Sequence, residues 1–242
     1  MIYKTIISFV FGIASTTMAF SQYHGFEAID DAKVTKWIPQ FQHEYFGAYH
    51  FGDSESESTL FLIFSGTEYV AQIHKGEWNS DGTAWVMQYR NLTSIKIGKD
   101  GKFSSDQYQG EFVFFDDFGE SRKCLKIIDG WSGITSKKGE YELGTKYNTT
   151  LLEFFPGKFI MASIQDLDPE ELQELTLEEL KIMRNEIFAR YGYQFRKGGQ
   201  MDQYFKKTNW YRPQFSNVDD FLTSLEKKNI KLIQQAERDK KF

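Results

Sequence analysis

The chain has one cysteine, Cys124, so no internal disulfide can hold it together. Its four prolines are too few for a proline-rich linker or a polyproline ligand. The four histidines, His24, His43, His50 and His74, are dispersed, and none has metal-ligand spacing with another or with the cysteine. A G-x-S-x-G nucleophile elbow, a phosphate loop and a dinucleotide fingerprint are all missing. No cofactor and no metal are therefore predicted. Basic charge is not in excess either: 29 Lys and Arg face 34 Asp and Glu, which argues against a nucleic-acid partner. Beyond the N-terminus no apolar run is long enough to cross a bilayer.

What is present begins with an export signal. Residues 1–21 carry Lys4 as a short basic region and a mostly apolar stretch from Ile6 to Met18. Ala19 and Ser21, small residues either side of Phe20, place cleavage before Gln22. No cysteine stands near that site, which excludes a lipoprotein anchor. The expected location is the periplasm or the medium, with no membrane span in the mature form.

Residues 22–162 read as an antiparallel β domain, a barrel or a sandwich. Short apolar or alternating runs follow one another at Tyr45–Phe51, Thr59–Phe64, Tyr69–His74, Thr83–Tyr89, Thr93–Ile97, Glu111–Phe115, Lys123–Ile128, Gly139–Leu143 and Leu151–Phe155. Turn signals separate them: Gly52-Asp53, Asp81-Gly82, Asp100-Gly101, Phe118-Gly119 and Gly130. A weak helical period appears only in Ile29–Phe41. Cys124 reads as a small core residue. Gly76-Glu77-Trp78 predicts a tryptophan at a strand end over the core. Asp53 to Ser58 alternates acid and serine without calcium-loop spacing, and reads as a solvated hairpin loop.

Residues 163–174 form an acidic linker, and 175–242 a small helical domain, so the fold class is α+β. The clearest element is LTLEELKIMRNEIFARYGYQF, Leu175 to Phe195. Thr176 and Glu179 make a capping box, with Leu175 and Leu180 as its hydrophobic staple. Leu177, Leu180, Met183, Ile187 and Tyr191 recur at helical spacing, and Gly192 supplies the left-handed stop. Glu186 and Arg190 are an i,i+4 pair in the favourable order. Arg184 lies beside the apolar stripe, where a guanidinium needs a partner. Glu226 and Glu237 on the last helix are the candidates. That helix is predicted to be capped by Ser216 or Asn217, with Val218, Phe221, Leu222, Leu225, Asn229, Leu232, Ile233 and Ala236 as its stripe. Because both long helices carry their own caps and stripes, the segment from about Asp166 onward is expected to fold alone.

These residues carry a resemblance. Arg184-Asn185-Glu186, then Phe188-Ala189-Arg190-Tyr191-Gly192, then Trp210-Tyr211 and Glu226, Asn229 and Glu237 are similar to the YARHG domain. The chain departs from the family motif at Phe188, where the family has Tyr, and at Tyr191, where it has His. The resemblance implies an exported domain without an assigned activity, with cell-wall association as a suggested role. Three functions are compatible with all this. One is a non-catalytic envelope protein acting as a binding or scaffold module for cell wall or another envelope component. The second is a β-barrel holding a small apolar ligand, in a cavity lined by residues such as Trp85 and Phe112. The third is an enzyme built on Arg184, Glu186 and Arg190, with Glu186 as the base. The sequence specifies no oligomeric state.

Overall fold

A computed structural model describes residues 22–240 apart from Phe26 and Phe118; the predicted signal segment, residues 1–21, lies outside the described residues. Twelve strands run β1 Gln22–His24, β2 Glu27–Ala28, β3 Val34–Lys36, β4 Gly47–Phe51, β5 Ser58–Phe64, β6 Tyr69–Trp78, β7 Trp85–Leu92, β8 Lys96–Ile97, β9 Lys102–Ser104, β10 Gln109–Asp117, β11 Glu120–Ile128 and β12 Tyr141–Lys146. Five helices follow: α1 Met161–Ile164, α2 Pro169–Glu174, α3 Leu177–Arg190, α4 Gln200–Phe205 and α5 Ser224–Asp239. Nine strands make one antiparallel path in the order β7-β6-β5-β4-β12-β11-β10-β9-β8, with β1 and β3 as side pairings. This path curls into a half-barrel, so the α+β class holds with a barrel-like antiparallel sheet.

Alternation along each strand sends side chains to two faces. The inner face holds a core of large side chains: Tyr49 and Phe51, Leu60 and Leu62, Phe103, Phe112, Leu125 and Ile127. The outer face is covered twice. The N-terminal strap packs Ile29 over Val113, Phe115, Cys124 and Leu143. The helices pack over Ala48, Phe61, Ile63 and Val70, with Phe155 and Leu225 in the same cluster. Continuous burial on both faces is why β5 reads as an unbroken apolar run.

Cys124 is a buried core residue, and burial pushes its thiol up to about 12. Asp53–Ser58 is a hairpin loop with a short 3-10 turn at Ser54–Ser56. Four expectations change. Ile29–Phe41 is helical only in a single 3-10 turn at Asp31–Lys33: Val34–Lys36 pairs with β10, because β-branched Val34 and Thr35 fit a strand and Val34 packs on the outer core. Leu151–Phe155 is no strand but a 3-10 turn at Leu151–Glu153, whose aromatic run is buried between sheet and helices. Trp78 stands at a strand end but not over the core; it is 54% exposed and meets Trp85 edge to face. The indole of Trp85 instead lies against Gly76, where a Cβ would come within 2.1 Å of Nε1. Finally, the acidic segment carries α2, with Leu167 before that helix and Leu172 within it buried.

Candidate functional site

The motif residues lie on α3, and α3 is buried on more than one side. Leu180, Met183, Ile187 and Tyr191 face α5, while Ala189 joins Phe205 and Tyr211 in a separate aromatic cluster. The helix starts as predicted, with Thr176 and Glu179 in a capping box. Glu179 also accepts from Lys158 Nζ at 2.9 Å, and these bonds hold its carboxyl down at about 2. Gly192 stops it at φ +73°, and a Cβ there would sit 2.7 Å from the Arg212 carbonyl oxygen. Only glycine meets both conditions.

The charged motif residues reach out of α3, to α5 and to the turn at 156–159, while Asn185 bonds within the helix. Arg184 grips Glu237 of α5 through two donors, Nε to Oε1 at 2.8 Å and Nη2 to Oε2 at 3.2 Å. Asn185 donates to the Lys181 carbonyl at 2.7 Å. Glu186 is buried and accepts from the backbone N–H of Lys158 at 2.9 Å and of Phe159 at 2.7 Å. Arg190 closes over Glu186 and also donates to the Pro156 carbonyl and to Ser163 Oγ, each at 2.8 Å. The turn that Glu186 seizes needs Gly157, at φ +121°, since a Cβ there would collide with the carboxylate. Glu186/Arg190 is therefore no surface pair: the two side chains are 2% and 6% exposed.

The last helix starts later than predicted. Thr223, not Ser216 or Asn217, is the N-cap, and Glu226 completes its capping box. Val218, Phe221 and Leu222 precede the helix, yet Val218 and Leu222 are buried in the same core, which made the stripe look continuous. Asn229 is fully buried; its amide donates to the Ala162 and Gln165 carbonyls and its oxygen accepts from Leu167 N–H. Trp210 and Tyr211 pack on Phe205, and Tyr211 donates to the Tyr193 carbonyl at 2.7 Å.

Sequence reasoning missed where Glu226 and Tyr191 point. Glu226 does not meet Arg184. It accepts from Ser163 Oγ at 2.6 Å, from Thr223 N–H at 3.0 Å and from the Tyr191 hydroxyl at 2.7 Å. Tyr191 also lies 3.0 Å from Gln72 Oε1 on β6, and Gln72 meets His74 Nε2 at 2.6 Å. Gln72 and Asn91 in turn donate to the Phe221 carbonyl. A polar seam thus runs between sheet and helices. Burial holds His74 neutral, down at about 3, and raises both the Glu226 carboxyl and the Tyr191 hydroxyl. One Tyr191 proton faces two acceptors, so a proton on Glu226 would complete the count. The signal was present in Gln72 and His74, polar residues in the otherwise apolar first part of β6, Tyr69–His74.

A curled β half-barrel with a helical module packed on its outer face, joined to it by a polar seam and braced internally by buried ion pairs, defines the class. Residues 157–238 match the family model of the YARHG domain. The match begins at Gly157, so the turn held by Glu186 belongs to the module, together with the segment first read as a linker. No curated protein and no solved structure matches the chain.

Proposed function

We propose that this is an exported, non-catalytic envelope protein, a binding or scaffold body directed at cell wall or another envelope component. The observation that carries the reading is the closure of Glu186. A general base must reach a substrate proton, and this carboxylate is buried under two backbone N–H groups and Arg190. The apolar-ligand alternative loses its support, because Phe112 is fully buried in the core and Trp85 is 41% exposed on the outside. Recognition falls to exposed surface beside the motif. A cleft of about 340 Å³ is lined by Arg184, Asn185, Phe188, Tyr193 and Asp219. Aromatic faces beside amide and charged groups suit a polar polymer with ring faces, as in a cell-wall glycan.

The test is co-sedimentation of the protein with isolated cell-wall material and, separately, with solubilised envelope extract. Retention is expected from one of the two, and Phe188→Ala with Tyr193→Ala should reduce it without changing the melting temperature by more than a few degrees. Absence of retention in both would count against the reading.

A further inference from the structure

The apolar core of the half-barrel does not run the full length of its strands. Inward positions on β11 are Ile127, Leu125 and then Lys123; on β10, Phe112 and then Phe114; on β12, Gly144 and then Lys146. One end of the inner face is therefore closed by lysines rather than by apolar side chains. Cys124 opposes Thr145, so one step further along the same register Lys123 stands across from Lys146. Like charges facing each other across strands repel.

The two lysines are not equally compensated. Lys123 Nζ lies 3.4 Å from Glu44 and 4.8 Å above the Trp37 ring. Lys146 is half-buried and pairs with no carboxylate among the described residues. Its ammonium rests against Gly47, where a Cβ would sit 2.8 Å from Nζ. Burial first, and Lys123 second, lower its pKa. Beside them Arg122 leans on Asp117 at 3.5 Å and Glu120 at 3.7 Å. Glu44 goes to Lys123 and both Asp117 and Glu120 go to Arg122, so among the described residues Lys146 is the cation of this group without a carboxylate of its own. Arg122, Lys123 and Lys146, with Glu120, border a cleft of about 720 Å³ that has Phe114, Tyr147 and Asn148 on its walls.

We propose that this mouth of the half-barrel is a binding site for an oxyanion, a phosphate or a carboxylate carried on a small polar ligand. Mouths of β-barrels are a recurrent ligand position. A bound oxyanion would turn the Lys123–Lys146 repulsion into charge-assisted hydrogen bonds. The site also explains why a half-desolvated, unpaired ammonium is held where an apolar residue would close the core at lower cost.

Thermal melts of the whole protein test this, with inorganic phosphate, with glucuronic acid, and with sodium chloride at matched ionic strength. Phosphate or glucuronate should raise the melting temperature by roughly 3 °C beyond the chloride control; which of them does so identifies the anion. Lys146→Met keeps the aliphatic stem and removes the charge. It should melt no lower than the parent without ligand, and should lose the response. A parent that responds to neither anion, a Lys146→Met protein that responds like the parent, or one that is less stable or fails to fold without ligand would each overturn the assignment.

Discussion

His74 and Glu226 give the polar seam its pH behaviour. The unfolded chain protonates His74 near 6.5, whereas the folded protein resists protonation down to about 3. His74 therefore favours folding above the upper value, and that advantage is lost as pH falls, by about 3 kcal/mol at pH 4. Glu226 acts in the opposite sense. Its folded carboxyl is raised above 4.5 by burial, so it favours the folded state below 4.5 and loses that contribution as pH rises through the raised value. Urea melts at pH 7, 5 and 4 should show His74→Gln flattening the acid loss and Glu226→Gln steepening it; the reverse order would contradict the burial of either group. Arg184→Ala should cost on the order of 3 kcal/mol, since Glu237 is left largely buried without its partner. Arg184→Lys should restore only part, because an ammonium cannot reproduce the two-donor grip. Unchanged melting for Arg184→Ala, with binding to envelope material lost, would make this residue a ligand contact.

At the scale of elements, caps decide more than stripes. Thr176 with Glu179 was legible because nothing but local sequence makes a capping box, and α3 begins there. The same rule applied to Thr223 and Glu226 would have placed the start of α5 correctly. It was hidden because Val218 and Leu222 are buried by the tertiary core at near-helical spacing without being helical. Thr223→Ala should cost about 1–2 kcal/mol in denaturant melts, at the upper end for a cap because the lost hydroxyl both accepts from the Glu226 N–H and donates to its buried carboxylate. Leu151–Phe155 and Ile29–Phe41 were misread for a related reason. Apolar residues there are buried by neighbours distant in sequence, and period alone does not distinguish a packed turn from a strand. The strands flanked by glycine turns were legible, since alternation and turn chemistry agree there.

For the whole molecule, the α+β order and the helical module could be read from sequence, while the seam between sheet and helices could not. Gln72 and Asn91 are more than a hundred residues from the carbonyls and hydroxyl they meet, and no spacing rule reports such contacts. Leu225 sits in a cluster with Phe61, Ile63 and Val70 of the sheet. Residues 157–240 in isolation should therefore melt well below the full chain, and a matching melt would show the seam to be energetically idle. The central claim is that the motif's charged residues hold the architecture together. A double-mutant cycle on Glu186→Gln and Arg190→Met, read by urea unfolding of the full chain, tests it most directly. Each single change is predicted to cost about 3 kcal/mol and the pair far less than their sum, with a coupling of about 2 kcal/mol or more. Single variants that unfold like the parent, with coupling below about 0.5 kcal/mol, would contradict it.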